Sequence, residues 1–308
     1  PTLSGAKGGT RNQSLAYLFN GEPVDGKAAY PNVSGLLQVD SDGYYYYNCK
    51  DNFASFDAAT NSFTLYDKPA VEEGQFFPFN TAEQVFNEGR NGLQNKITDA
   101  DNSVLNHYFG MTMSTRFIQS EGGLIDGNEN KPVTYNFSGD DDVWVYIDGV
   151  LVGDLGGIHG ATSLEINFAT GDVYVYGDGN GNNEYDNART DTLYQHTTIR
   201  ACFEDAYNTQ SPTGFNDNTF SDGSYHTLNF FYLERGNSAS NMSLKYNLET
   251  IPESGVKKIS QDNDPLGNVQ FVLTPTDESY QPLANAQTIN ATTDWATGEL
   301  VFSYTDEA

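Results

Sequence analysis

Three consecutive aspartates, Asp140, Asp141 and Asp142, stand directly before the apolar run Val143–Ile147. Adjacent carboxylates repel one another at neutral pH. Their position at the mouth of a hydrophobic strand costs free energy unless a cation or a set of N–H donors neutralises them. Clustered hard oxygen ligands of this kind suit Ca²⁺. The sequence therefore predicts a calcium site at these aspartates, and a solvated acidic turn is the alternative.

A second stretch rich in oxygen ligands follows the apolar run that ends at Tyr176. Its candidate ligands occupy positions 1, 3, 5 and 9 of an EF-hand-like loop: Asp178, Asn180, Asn182 and Asp186. Two positions depart from the pattern, because Asn183 stands where glycine is usual and Arg189 stands where a bidentate glutamate is usual. The stretch is therefore either a second Ca²⁺ loop or a solvated hairpin loop.

Few residues in the chain have the spacing that catalysis needs. The sequence has no Gly-x-Ser-x-Gly motif and no Walker loop, and its four histidines form no His-Glu-x-x-His pair. No two carboxylates are set apart in unlike surroundings as a general acid and base would be. His159 lies in a glycine-rich stretch, and we expect it to hold a turn by hydrogen bonding. We therefore expect a protein that is not an enzyme.

The composition restricts the partners of the chain. The 308 residues include 42 acidic and 15 basic ones, for a net charge of -27. Nucleic acid and anionic membrane surfaces are bound through Lys and Arg patches, so both are unexpected partners. No apolar run reaches the length of a membrane span, so we expect no membrane insertion in this fragment. Cys49 and Cys202 are either reduced, as inside a cell, or paired, as in an exported protein.

Abundant Tyr, Phe and Gly favour β-structure, and period-two alternation of apolar residues predicts strands along most of the chain. Asp148-Gly149 favours a tight turn, which makes a hairpin over Val143–Leu155. A capping box at Thr81 predicts a short helix over Ala82–Glu88, and Asn95–Leu105 is a second short helix. The predicted strands are Leu15–Phe19, Phe63–Tyr66, Tyr108–Phe117, Val133–Phe137, Val143–Ile147, Val150–Leu155, Leu164–Phe168, Val173–Tyr176, Leu228–Leu233 and Ser243–Leu248.

Turn-forming residues around Pro252 mark a change of pattern. We place a domain boundary there, with one domain over residues 1–251 and a second over 252–308. The second segment is small for an independent core, which is typical of an incomplete module. The chain begins at Pro1 without an initiator Met, so we expect a piece of a longer protein.

Three ordered blocks resemble the fibro-slime domain, a bacterial branch of the PA14 superfamily: Gly139–Gly149, Asp154–Gly160 and Phe231–Asn241. The resemblance covers roughly residues 1–251. It implies a PA14-like β-sandwich with short helical excursions, and so an all-β fold. It also implies a cation site of the kind that some PA14 lectins use to bind sugars through Ca²⁺.

In those lectins two adjacent aspartates are joined by a cis peptide bond, and a later loop adds an asparagine and backbone carbonyls. The resemblance places the aspartate pair on Asp140 and Asp141. It makes Asn237 the candidate side-chain ligand, with Asn241 as the alternative, and the carbonyls of Ala239 or Asn241 complete the set. It further implies that Asp140, Asp141 and Asn237 contact the sugar site.

The last segment resembles the start of a Cna-B/SpaA-type pilin domain, on the stretches Gly255–Ser260, Pro265–Leu273 and Thr293–Phe302. This resemblance implies a small prealbumin-like β-sandwich that serves as a stalk on Gram-positive surfaces. Many such modules carry a Lys–Asn isopeptide bond, and Lys258 matches the lysine. A solvated strand edge is the alternative for Lys257 and Lys258.

These expectations combine into a cell-surface adhesin module of a Gram-positive bacterium, extracellular, with Ca²⁺ as cofactor. Its partner is a glycan on a host or neighbouring cell. The main alternative is a structural pilus-tip or protein-binding module in which calcium only stabilises loops. An accessory domain of a glycosidase is a weaker alternative.

Overall fold

The computed structural model describes residues 2–3, 13–14, 16–21, 23, 26–67, 75–89, 92–95, 105–157, 160–177, 192–236 and 240–250, and in the C-terminal part 258, 260–261, 266–274, 281, 289–293 and 300–302. Contacts within the chain divide it into two compact units, Pro1–Ile251 and Pro252–Ala308. Within these described ranges, no helix is long and apolar enough to cross a membrane.

The described residues of the first unit form twenty strands: β1 (Thr2–Leu3), β2 (Gln13–Ser14), β3 (Gln38–Val39), β4 (Tyr45–Asn48), β5 (Asn52–Asp57), β6 (Ser62–Asp67), β7 (Phe86–Gly89), β8 (Gly92–Asn95), β9 (Phe109–Ile118), β10 (Thr134–Gly139), β11 (Asp142–Ile147), β12 (Val150–Leu155), β13 (Thr162–Asn167), β14 (Asp172–Gly177), β15 (Thr192–Thr198), β16 (Phe215–Asn216), β17 (Thr219–Phe220), β18 (Tyr225–Glu234), β19 (Met242–Tyr246) and β20 (Glu249–Thr250). Its α-helices are α1 (Ala16–Phe19), α2 (Ala82–Val85) and α3 (Ile199–Tyr207), and short 3-10 turns occupy Glu121–Gly123 and Ile125–Gly127.

Two antiparallel sheets dominate this unit. The larger has seven strands in the order β15-β14-β13-β10-β19-β4-β3, and the smaller has five in the order β12-β11-β18-β9-β20. Because a strand alternates its side chains between two faces, each sheet presents one apolar face inward. Burial along β10 follows this rule, with Tyr135 and Phe137 buried and their neighbours half-exposed.

Aromatic side chains fill the space between the two sheets. The ring of Phe137 on β10 lies 5.6 Å from that of Phe230 on β18, between ring centroids. At another point Phe117 of β9 meets Phe168, which follows β13, at 5.2 Å. Side chains of both sheets belong to one continuous core. The predicted all-β class is therefore confirmed, and the two sheets pack as a sandwich.

The predicted hairpin over Val143–Leu155 is confirmed. β11 and β12 pair antiparallel with Ile147 opposite Val150. Asp148 and Gly149 both have positive φ, +49° and +81°. That combination is the turn geometry whose twist matches the flanking strands.

Two local predictions are wrong, and a third, the helix over Asn95–Leu105, lies almost entirely outside the described residues. Leu15–Phe19 was expected as a strand, but Ala16–Phe19 forms one helical turn whose Phe19 ring packs edge-on against Phe231 at 5.2 Å. The helix after Thr81 ends at Val85 instead of Glu88, because the chain turns into the hairpin of β7 and β8. Asn95 ends β8, so it does not begin a helix, and residues 96–104 lie outside the described ranges.

Helix α3 was not predicted. Its first turn is capped by Thr198, whose side chain accepts a hydrogen bond from the backbone N–H of Ala201 at 3.1 Å. Ile199 and Phe203, four residues apart, are buried on one side, and the Phe203 ring meets that of Phe220 at 5.5 Å. Burial of this face stabilises a helix too short to be stable alone.

The second unit contains a three-stranded antiparallel sheet of β21 (Gln270–Leu273), β22 (Ile289–Thr293) and β23 (Leu300–Phe302). Thr293 is buried, and its hydroxyl donates to the carbonyl of Leu266 at 2.7 Å. Lys258 is exposed, and its backbone carbonyl accepts from the N–H of Leu266 at 2.9 Å. Lys257 lies outside the described residues.

The two cysteines are not joined to each other. Cys49 is buried beside β19, where its sulfur lies 3.4 Å from the backbone nitrogen of Met242. Cys202 is half-buried on α3. Burial raises the pKa of the Cys202 thiol.

Candidate functional site

The three aspartates lie where the chain crosses from one sheet to the other. Gly139 ends β10 in the large sheet and Asp142 begins β11 in the small sheet. A second crossing runs beside it, from the end of β18 to the start of β19, because β11 pairs with β18 and β10 pairs with β19. Sheet topology therefore brings residues 140–142 against residues 234–236 and 240–241, almost a hundred positions away.

Asp140 is held by Asn241. One carboxylate oxygen, Oδ1, accepts the backbone N–H of Asn241 at 2.5 Å, and Oδ2 accepts from the Nδ2 of the same residue at 3.1 Å. Asp140 is only 7% exposed. Gly139 permits this close approach, because a Cβ at that position would collide with the carbonyl oxygen of Asn241.

Asp141 is held by the backbone of the opposite crossing. Its Oδ2 accepts the N–H of Arg235 at 2.8 Å and also the N–H of Gly236. Asp141 has a positive φ of +59°, which aims the side chain at that segment. The peptide bond between Asp140 and Asp141 is trans. The expected cis bond is therefore wrong for this structure: the left-handed conformation of Asp141 provides the bend instead.

Asp142 forms a two-pronged ion pair with Arg235. The guanidinium Nη2 donates to Oδ1 at 3.0 Å while Nε donates to Oδ2. Oδ1 also accepts the N–H of Gly157 at 2.6 Å. Hydrogen bonding to Asp142 raises the pKa of Arg235 further above its usual range. This planar pairing is one that lysine cannot reproduce.

Glu234 is a fourth acidic group at the same place, and sequence analysis did not identify it. It is fully buried at the end of β18, and its Oε1 shares the N–H of Gly236 with Asp141, at 2.8 Å. Its Oε2 lies 3.2 Å from the hydroxyl of Tyr232. Burial, then the charges of Asp141 and Asp140, raise the pKa of Glu234 to about 9, so its carboxyl is protonated at neutral pH.

A signal for Glu234 exists in the sequence. Leu228, Phe230 and Tyr232 are the inward-facing residues of β18, and Glu234 continues the same alternation. A carboxyl group in the next inward position is expensive to bury unless it is neutral or paired. The period-two register alone would therefore have marked Glu234 as unusual.

The donor chemistry of this site fits Ca²⁺, because carboxylate and amide oxygens are the ligands that the ion prefers. The structure brings Asp140, Asp141 and Asn241 together. Within the described part of the chain, no three His, Cys, Asp or Glu side chains are arranged to hold a metal ion. The carboxylate oxygens instead accept hydrogen bonds from Arg235, Gly236 and Asn241.

The other predicted ligands cannot be placed. Asn237 and Ala239 lie outside the described residues, and so does the whole second loop with Asp178, Asn180, Asn182 and Asp186. His159 also lies outside them. Asp154 holds a backbone turn, as its Oδ1 accepts the N–H of Gly156 at 2.9 Å.

A chain of hydrogen bonds through Ser224, His226 and Asp148 lies at the β11–β12 turn, and the sequence did not reveal it. The His226 ring has Nε2 at 2.6 Å from Ser224 Oγ and Nδ1 at 2.6 Å from Asp148 Oδ2. These residue types also form hydrolase triads. Here, however, Ser224 Oγ donates to the carbonyl of Ser221 at 2.6 Å. The backbone N–H groups of Gly223 and Ser224 donate to other carbonyls, so neither can serve as an oxyanion donor.

Comparison with known proteins yields only short similarities. No family model and no solved structure matches the chain. Protein psiR of Dictyostelium discoideum is 39% identical over 69 residues, which is 22% of this chain and 6% of that protein. Protein psiB of the same organism is 42% identical over 65 residues, 21% of this chain and 10% of that protein. Protein psiO is 60% identical over 37 residues, 12% of this chain and 5% of that protein. The chain therefore spans 5% to 10% of the length of these three relatives, and matches this short do not establish a family.

Proposed function

We propose that the first unit is a Ca²⁺-dependent carbohydrate-binding module of an extracellular adhesin. The observation that carries the proposal is the sharing of one N–H, that of Gly236, between the carboxyl groups of Asp141 and Glu234. Four acidic side chains are buried together there with a single basic side chain, Arg235. Because Glu234 is protonated and Asp142 is paired with Arg235, the uncompensated charge is that of Asp140 and Asp141, and a divalent cation would stabilise it.

Asp140 and Asp141 would hold the ion, with the backbone carbonyl of Asn241, whose oxygen lies 3.3 Å from the backbone nitrogen of Asp140. The side chain of Asn237 and the carbonyl of Ala239 are further candidates. A bound Ca²⁺ supplies a positive charge and open coordination positions for neighbouring hydroxyl groups of a sugar. The fold would hold the carboxylates of Asp140 and Asp141 near each other at the crossing between the two sheets. Burial and these two charges keep Glu234 protonated.

The wider context of this proposal is a PA14-type, fibro-slime-like domain of a Gram-positive surface protein. The second unit would be the first part of a Cna-B/SpaA-like stalk, within a longer chain. The all-β fold of both units is compatible with this assignment.

A second candidate is a structural or protein-binding module that holds no functional cation. It is favoured by one observation: each of the three aspartates already accepts hydrogen bonds from N–H donors. In that case Asp140, Asp141 and Asp142 join the two crossings and fix the end of the sandwich, and a partner binds elsewhere.

Glycan-array binding in calcium and in EDTA separates the two candidates. The lectin predicts sugar binding that EDTA abolishes and that Asp141→Asn reduces at least tenfold, because the amide keeps the hydrogen bonds from the backbone but loses the charge. The exposed acid replacement Glu129→Gln is the matched control and should bind like the wild type. Sugar binding that persists unchanged in EDTA, or that the Asp141 variant retains, would contradict the calcium-dependent site. Binding to a protein without any sugar binding in calcium would favour the structural module.

A further inference from the structure

A cleft of about 620 Å³ lies on the outward face of the large sheet. Strands β10, β19 and β4 form its floor. Two rows of side chains cross these strands in register, one of Asn136, Lys245 and Tyr46, the other of Ser138, Ser243 and Asn48. The residues between them, Phe137, Leu244 and Tyr47, point into the core and are almost completely buried. The polar face is therefore set by strand alternation.

The floor of the cleft offers neutral hydrogen-bonding groups. The Nδ2 of Asn136 donates to Thr134 at 3.0 Å, and the hydroxyl of Ser243 donates to Asn48 at 3.0 Å. Among the described residues, the hydroxyl of Ser138 and the side-chain oxygen of Asn136 have no hydrogen-bond partner. These groups are free to bind the hydroxyls of a ligand, and the half-exposed ring of Tyr46 offers an apolar face beside them.

The charges around the cleft balance. Lys245 donates to Asp40 at 2.8 Å and also lies 4.5 Å above the Tyr44 ring, and Lys50 and Asp51 line the same cleft. Two basic and two acidic residues meet here in a chain whose net charge is -27. A locally neutral surface suits an uncharged ligand, because an anionic ligand would face the rest of an acidic molecule and a cationic one would meet no excess of acid here.

The cleft is continuous with the acidic site. Asn241 lines the cleft and, through its side chain, donates to Asp140 at 3.1 Å. A chain molecule that binds at Asp140 would therefore meet Ser243 and then the two rows as it extends over β19. Along this path the ligand would be bound by polar side chains of the chain itself, without a metal ion.

We propose that the cleft binds a neutral oligosaccharide chain, as an extension of the acidic site, with Tyr46, Asn136 and Ser138 contacting its second and later sugar units. This inference rests on the proposed function for the identity of the ligand as a glycan. It goes further in naming the ligand class: a chain of several uncharged sugars, in place of a single terminal sugar or an acidic glycan.

The experiment measures affinity against chain length. Neutral oligosaccharides of glucose, mannose, galactose and N-acetylglucosamine, of one to six units, are titrated in calcium against wild type, a cleft variant and a control. The cleft variant combines Tyr46→Ala with Asn136→Ala. The control is Tyr66→Ala, an exposed tyrosine on β6 that the cleft does not include. Thermal unfolding verifies that each variant folds.

For the oligosaccharide series that binds, the expected result is affinity that rises with length, at least tenfold from one unit to four. The cleft variant should lose about tenfold for the longer chains, the equivalent of about 1.4 kcal/mol. It should bind the monosaccharide and calcium like wild type. Affinity independent of length, or a cleft variant that binds the longer chains like the control, overturns the cleft proposal and leaves the acidic site intact. If no member of the panel binds in calcium, both proposals are wrong.

Discussion

Asn241 holds Asp140 with both of its donors, the backbone N–H at 2.5 Å and the side-chain Nδ2 at 3.1 Å. In the predicted cation site, Asn241 was the alternative to Asn237 as the side-chain ligand beside Asp140. In this structure the carboxylate is therefore neutralised by N–H donors, as Asp141 is by Arg235 and Gly236. A cation at this site would compete with the N–H groups of Arg235, Gly236 and Asn241 for the same oxygens, so binding of calcium would alter these hydrogen bonds.

Replacing Arg235 tests whether the two crossings depend on its ion pair with Asp142. Arg235→Ala leaves the buried Asp142 carboxylate with one N–H donor, that of Gly157. The free energy of unfolding should therefore fall by about 3–5 kcal/mol. Arg235→Lys should recover only part of this, because an ammonium cannot make the two-pronged contact. Urea unfolding gives the values.

Lys131→Ala is the control for Arg235, since Lys131 and Asp42 are exposed and lie 4.0 Å apart. Its cost should stay below about 1 kcal/mol, as for other surface pairs. Equal effects of the Arg235 and Lys131 replacements would show that the buried pair does not hold the crossings together.

Glu234 makes stability depend on pH in a definite direction. Its pKa is raised from 4.5 to about 9 on folding. Between these values the folded chain binds one more proton than the unfolded chain, so the free energy of unfolding falls as pH rises through this window. Below pH 4.5 both states are protonated and the group has no effect.

Glu234→Gln should remove that pH-dependent loss, because glutamine mimics the protonated carboxyl and can still accept from Gly236. Unfolding in urea at pH 5 to 9 should show a flatter profile for this variant and, at pH 8, a gain of at least about 1.4 kcal/mol, the equivalent of one pKa unit. The exposed Glu129→Gln serves as control. Parallel pH profiles for wild type and the Glu234 variant would mean that Glu234 is ionised in the folded protein.

Ser224 should have no catalytic role. Its hydroxyl donates to Ser221, and nearby N–H groups are already engaged, so hydrolysis of p-nitrophenyl acetate by wild type and Ser224→Ala should be equally slow. The variant should instead lose about 1 kcal/mol of stability with its hydrogen bonds. Ser211→Ala, on an exposed turn, should lose almost nothing. A burst of product in wild type that the Ser224 variant lacks would show an active nucleophile.

The elements that were predicted correctly from the sequence are those that short-range patterns determine. The β11–β12 hairpin follows from alternation and from Asp148-Gly149, and both features are short-range. Helix α3 was not predicted from the sequence. It is nine residues long and its buried face consists of Ile199 and Phe203, so its helical period is weak. The turn at Ala16–Phe19 was read as a strand because four apolar and aromatic residues in a row carry no clear period.

The site was predicted only in part, because local sequence reveals residue types but not their partners in the folded chain. The aspartates stand out by type, but their partners come from a crossing about a hundred residues away and depend on sheet register. The local sequence does not indicate which of the 42 acidic residues pairs with Arg235, and in the structure it is Asp142. The conformation of Asp141, trans with a positive φ, depends on that tertiary contact.

We expect bound calcium to take the carboxylates of Asp140 and Asp141 from the N–H groups of Arg235, Gly236 and Asn241. A CaCl₂ titration of the ¹⁵N-labelled chain, followed through the assigned amide signals of Gly236 and Asn241, measures this exchange. Both signals should shift and saturate together, and Asp140→Asn with Asp141→Asn should abolish the shift while Glu129→Gln should not. Signals that stay in place in millimolar calcium, even if other amides in the chain respond, would contradict it.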